Sequence, residues 1–468
     1  METSPPPVMS HSNDSSPGPR RPLTLLAWSV IILVCTGWIL LSSSRGEEAH
    51  EEEASNVAAV GMQDVLLGRI VVGLDVFFND PALTATIEKE AQPLHDGTPV
   101  QRLAWVILQA RLHGVQDGLD ALGAIEVPQD DEPMNEEDVA LVRSALVTIE
   151  GGGTIDEAQQ EVLIERFDYF GELLIGISDP TLAKSLDSAA RIGAIALVVV
   201  VCIFAIAGGV GFIALIILFV MRMMHPPPPH EILRYHGLYA ETFAVWLVLF
   251  FGLQLLIAYS GILPLMTGNI LGFVVSLCAL AWPCFRGVPW WQVRTDIGWT
   301  KPKNILVEPF VGFGAWGMAL PFMGAGLLLT FVLTWIVQWL MGDAPQPSHP
   351  VQQEAMGAGA GQIALLFFIA CVAAPIVEET FFRGVLYTHL RSASARWGFW
   401  LSIAASMVLS AFVFAAIHPQ GLLFAPPLMG LAVGFAIARE WRGSLVAAMV
   451  AHSVNNALVM TLNVILFA

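Results

Sequence analysis

The sequence predicts an all-α, polytopic helical membrane protein of about nine transmembrane helices, carrying a helical extracytoplasmic insert. Three observations lead there. Hydrophobic residues make up 55% of the 468 and charged residues only 13%, with a mean hydropathy of +0.65, too apolar for an ordinary soluble chain. Apolar runs of roughly membrane-crossing length recur nine times. Charge is segregated as well: residues 46–190 hold 29 acidic and 7 basic side chains, whereas the remainder holds 11 and 15. The net charge of -18 therefore belongs to one solvent-facing insert, and that distribution argues against a nucleic-acid partner.

Taken in order, residues 1–19 are rich in Pro and Ser and read as a disordered tail. Arg20 and Arg21 then precede the apolar run 23–41, which places the N-terminus in the cytoplasm. The run reads as an uncleaved signal anchor. A cleaved signal peptide is the rival, opposed by the length of the run and the absence of an A-x-A site. Residues 46–190 open with Glu47, Glu48, Glu51, Glu52 and Glu53 and mix apolar with charged residues at helical spacing, as in 164–175, so a small helical domain is expected. Gly151, Gly152 and Gly153 mark a turn between two helical hairpins, and His95 and His113 read as isolated surface residues.

Further spans are expected over 192–221, 243–259, 262–282 and 305–341, then 362–390, 399–418, 422–438 and 444–467. Basic residues Arg222 and Arg234, then Arg286, Arg294, Lys301 and Lys303, then Arg391 and Arg396, and finally Arg439 and Arg442 fall in alternate loops. Those loops are assigned to the cytoplasm and the insert to the outside. Residues 225–230, four prolines between two histidines, read as a stiff connector rather than a metal clip, because no further ligand is near. Cys35, Cys202, Cys278, Cys284 and Cys371 lie in or beside apolar runs without CxxC spacing and are expected to be buried small hydrophobes. The expected organisation is a tail and anchor over 1–45, the acidic insert over 46–190, spans of undefined role over 191–345, and a chemistry-bearing core over 346–468. The lipid bilayer is the expected surroundings, with the cell (plasma) membrane as the location.

Ionisable groups at bilayer depth are costly and mark functional sites. Three sets lie in the last hundred residues: Glu378 and Glu379 with Arg383, Phe414 with His418, and His452 with Asn456. Residues four apart share a helix face, so Glu379 and Arg383 are expected to pair, while Glu378, about 100° around the helix, stays available for chemistry. Pro375 removes a backbone hydrogen bond just before Glu378 and is expected to kink the helix and admit water. Phe414 can pack beneath the His418 imidazole. A rise of about 1.5 Å per residue puts Glu378 ~18 to 20 Å, Asn456 ~18 Å, His452 ~12 Å and His418 ~27 Å from the cytoplasmic ends of their helices, near enough to converge once tilt is allowed. A carboxylate, two imidazoles and an amide suit peptide-bond hydrolysis: a base for water, an acid for the leaving amine, and donors for the oxyanion. No serine or cysteine sits in a nucleophile motif.

The ordered set EExxxR, FxxxH and HxxxN on separate spans resembles the CAAX prenyl protease and bacteriocin-processing (CPBP, or ABI) family of intramembrane proteases, which includes lysostaphin-resistance proteins. Each motif alone is weak, but the ordered set in a membrane setting is specific. The resemblance covers roughly residues 361–467. It implies that Glu378 is the catalytic glutamate, that His418 helps activate water, and that His452 and Asn456 stabilise the oxyanion, with Glu379 and Arg383 completing the first motif. It also implies a peptide or membrane-protein substrate and no cofactor or obligatory metal, although two histidines and a glutamate are a known zinc ligand set. The alternative function is a non-catalytic membrane scaffold or bacteriocin-immunity protein of the same fold. A transporter is weaker, since paired interrupted helices are not evident. Substrate identity and oligomeric state stay open.

Overall fold

The protein is described from a computed structural model covering residues 21–55, 60–125, 134–221, 236–261, 265–302, 304–341 and 358–467. The N-terminal Pro/Ser tail, the 225–230 stretch, and Arg20, Arg222, Arg234 and Lys303 lie outside these residues, as do the side chains of the acidic cluster at 47–53. The described residues form helices and no strand. Nine of these helices are long and apolar enough to cross a membrane: Pro22–Leu41, Pro180–Val220, Gly237–Ser260, Thr267–Phe285, Glu308–Met341, Ala360–Trp397, Phe399–Ala416, Leu422–Arg442 and Val446–Leu466. They are called the first to ninth spans below. The chain is thus an all-α integral membrane protein, as its composition predicts.

Two compact units divide it, one comprising 1–41, 206–349 and 360–457, the other 42–205, 350–359 and 458–468. The second unit contains the acidic segment. Its helices Met62–Phe78, Pro99–Leu112, Glu136–Glu150 and Tyr169–Ser178 close on a buried core that includes Val72, Leu103, Ile107, Leu146, Phe170 and Leu173. Chain punctuation follows local chemistry. Gly151 caps Glu136–Glu150, Gly152 takes φ 74°, and Asp156 then starts Glu157–Phe167 by accepting from the Gln159 N–H at 2.9 Å. Asp156→Ala is expected to cost about 1 kcal/mol, visible as faster amide exchange in the first turn of Glu157–Phe167; unchanged exchange there would deny the cap its role. His95 and His113 lie at the surface, beside Asp96 and Glu88 respectively.

The expected burial of the cysteines fails. Cys202 and Cys278 are exposed, and Cys35, Cys284 and Cys371 are half-buried, all with free thiols. The outer face of a span is as apolar as its inner face, so a small hydrophobe in a span carries no signal for which side it takes.

In the first unit the fifth and eighth spans approach closely. Gly430 and Gly434, one turn apart on the eighth span, lie against Phe322 and Ala319, while Gly326 on the fifth lies against Pro426; a side chain at any of these would collide with the facing backbone. This seam holds rigid the helix that carries Phe435. Beside the sixth span stands an aromatic wall: Trp246 stacks on Phe381 at 4.7 Å, and Phe382 meets Phe243 and Phe414 edge-on at 5.4 and 5.0 Å. The first span docks through buried Ala27 and Ile31 and through Trp28, whose indole N–H donates to His389 Nε2 at 3.2 Å. His389 is buried there, held by a partner from a span 361 residues away in sequence.

Candidate active site

The sixth span is not one regular helix. It runs as α-helix over Ala360–Phe368, widens to π-helix over Ile369–Ala373, returns to α over Ala374–Glu378, and widens again over Glu379–Leu386 before Tyr387–Ser394. Pro375 has a physical hand in the first change. Its ring would press on the carbonyl one turn back and it offers no N–H, and a widened turn relieves both conflicts. The simple proline kink expected from sequence is therefore replaced by two π-helical stretches, of the kind that recur at functional sites.

Glu379 is fully buried within the second stretch. Arg383 Nη1 lies 2.9 Å from its Oε1 and is itself only 1% exposed, so the i,i+4 pair expected from spacing forms despite the wider helix. The Arg383 guanidinium also faces three rings, Phe414 at 4.5 Å, Phe435 at 5.4 Å and Phe382 at 6.0 Å. The ring faces recover part of the hydration that so buried a cation gives up.

His452, on the ninth span, joins the two glutamates. Its Nδ1 is 2.9 Å from Glu379 Oε1 and its Nε2 is 3.8 Å from Glu378 Oε2. An ionised carboxylate only accepts, so the Nδ1–H donates to Glu379 and Nε2 is turned toward Glu378. The ring is clamped between Phe435, stacked at 5.3 Å and 21°, and Phe414, edge-on at 6.1 Å. Glu378 differs from its neighbour in access, with 15% of its side chain exposed where Glu379 has none.

His418 is held by its own helix. Its Nδ1–H donates to the Phe414 carbonyl at 2.6 Å, and its ring lies 4.3 Å from the Phe414 ring. Phe414 thereby touches Arg383, His418 and His452 at once. Asn456 sits one turn beyond His452 and donates to the Ala370 carbonyl at 2.8 Å, inside the first π stretch. Its Oδ1 accepts from Asn455, whose own Oδ1 accepts from the Trp316 indole, a relay from the fifth span through the ninth to the sixth.

The residues singled out from sequence thus gather around the sixth span: Glu378, Glu379, Arg383 and His452 in direct contact, His418 through Phe414, and Asn456 on the backbone at Ala370, upstream of the glutamates. Among the described residues no group of three His, Cys, Asp or Glu side chains is arranged to hold a metal ion. Phe435, Thr380 and Trp299 also shape the cluster and carry no local motif that would single them out.

A helical integral membrane protein with two glutamates, an arginine and a histidine assembled within its spans defines the class. Residues 360–458 match the family model described as Rce1-like, type II CAAX prenyl endopeptidase, consistent with the CPBP family. At the level of that family the match supports a CAAX-protease-like intramembrane endopeptidase acting on peptide substrates. Comparisons with curated proteins and with solved structures gave no match.

Proposed function

We propose that this protein hydrolyses a peptide bond near the bilayer surface with a water molecule activated by Glu378. The observation that carries the reading is the division of the glutamates by His452: Glu379 is tied to Arg383 and to Nδ1, whereas Glu378 keeps some exposure and faces Nε2. A carboxylate so placed takes the proton of the attacking water. His418, fixed in one tautomer by the Phe414 carbonyl, holds that water through Nε2, and the proton taken up by Glu378 passes to the leaving amine. The second amide N–H of Asn456 supplies a hydrogen bond to the oxyanion of the tetrahedral intermediate, and His452 Nε2 joins it when the ring carries both protons. Glu379 and Arg383 keep the imidazole oriented. The insert at 46–190 faces the extracytoplasmic side in this reading, and the match at 360–458 is the support for a peptide substrate.

The test is cleavage by the purified full-length chain in lipid nanodiscs, with prenylated and unprenylated C-terminal peptides and products read by mass spectrometry. His418→Gln should slow turnover about 10²-fold, the lower range for a positioned acid or base. Should no peptide be cut, or should His418→Gln turn over at the wild-type rate, the assignment is wrong.

A further inference from the structure

The short helix Trp290–Ile297 ends at Gly298, whose φ of 83° turns the chain back and brings Trp299 to the sixth span. Two helices receive this segment. Toward the ninth span, the Gly298 carbonyl accepts from the Leu445 N–H at 3.1 Å, and the Thr300 carbonyl accepts from Ser444 Oγ at 3.2 Å. Toward the sixth, the Asp296 carbonyl accepts from Thr388 Oγ1 at 3.2 Å, and the Trp299 indole N–H donates to Thr380 Oγ1 at 2.8 Å. The segment is therefore hydrogen-bonded to both helices whose side chains meet at Glu379 and His452.

Thr380 occupies the point where α-helix gives way to π-helix, directly after the two glutamates. Its buried hydroxyl donates to the Ile376 carbonyl at 2.6 Å while it accepts from Trp299. A threonine hydroxyl bonded back to the carbonyl four residues earlier competes with the regular helix ladder. Alone, that hydroxyl rotates; with the indole N–H on its lone pair, its proton is committed to Ile376.

We propose that Trp299 is a positioning residue of the glutamate site: through Thr380 it locks the α-to-π junction that presents Glu378 and Glu379 to His452. Released from the lock, the widened turn relaxes toward α-helix and rotates Glu379 relative to the imidazole. The kinetic consequence rests on the protease reading above; the geometric one does not.

The experiment uses the full-length chain in nanodiscs with ¹⁵N-labelled histidine, the His452 ring resonance being assigned by its loss in His452→Gln. Trp299→Phe keeps a ring and removes the N–H, and Thr380→Val keeps the shape and removes the hydroxyl. Both should move the His452 ring resonance and, on a cleaved peptide, lower kcat about 10- to 100-fold with KM unchanged, the scale of a misplacement of about 1 Å. The double variant should be no worse than either single one, because both break the same link. Thr380→Ser should restore wild-type behaviour, and Trp291→Phe, on the exposed face of the short helix, should leave the resonance in place. An unmoved His452 resonance in Trp299→Phe overturns the proposal, as does a loss of activity that only follows a loss of folded protein. If the wild type cuts no peptide, the protease reading falls and the His452 resonance still decides the role of Trp299.

Discussion

Glu378→Gln should lower cleavage by about 10²–10⁴-fold and leave the folded protein intact, the range expected when a general base is removed. The amide matches the carboxylate in shape but cannot take a proton from water. Little structure depends on the group, since its contact with His452 Nε2 spans 3.8 Å and its side chain keeps some exposure. Glu379→Gln makes the instructive contrast. That residue is buried against both Arg383 and His452, so the same change leaves a buried cation short of its counter-charge and should depress stability along with activity. Thermal unfolding and peptide turnover measured on the same nanodisc samples separate the two outcomes. Wild-type turnover in Glu378→Gln would remove Glu378 from the reaction.

Arg383→Ala should cost about 3–5 kcal/mol of stability, seen as low yield and a lowered unfolding midpoint, because it strands the buried Glu379 carboxylate. The loss of the cation–π contacts with Phe414 and Phe435 adds about 0.5–2 kcal/mol. A second measurement makes the electrostatic origin testable. Removing both charges, as in Glu379→Ala with Arg383→Ala, should be less damaging than Arg383→Ala alone, since an unpaired buried charge is worse than none. A double variant that is the less stable of the two would point to lost packing instead.

The spans were legible because membrane solvent demands long apolar runs, and the composition shows little else. Glu379 with Arg383 was legible because a four-residue spacing brings the side chains together in either helix type. The π-helical stretches were not. Pro375 signals that the ladder breaks but does not say whether the helix bends or widens, and that choice is made by neighbours such as Asn456, whose amide reaches Ala370 from 86 residues away. The position of His452 between two carboxylates depends likewise on the packing of the sixth and ninth spans, which spacing within one helix does not encode. Phe435 and Trp299 were invisible for a plainer reason: among 26 phenylalanines and 14 tryptophans, one more aromatic residue in an apolar run offers no contrast.

The widened turns of the sixth span have a consequence for chain length. Each accommodates a residue that an α-helix closing the same ladder would not hold, so the phase of everything downstream depends on the turns staying wide. Reversion of Glu379–Leu386 to α-helix with its residues unchanged in number would swing everything downstream by about 100°, carrying His389 away from Trp28 while the glutamates stayed in place, whereas reversion with the loss of one residue would keep the phase. In this stretch the width of the turns and the number of residues are matched parts of the site, and a change in one is absorbed only by a change in the other.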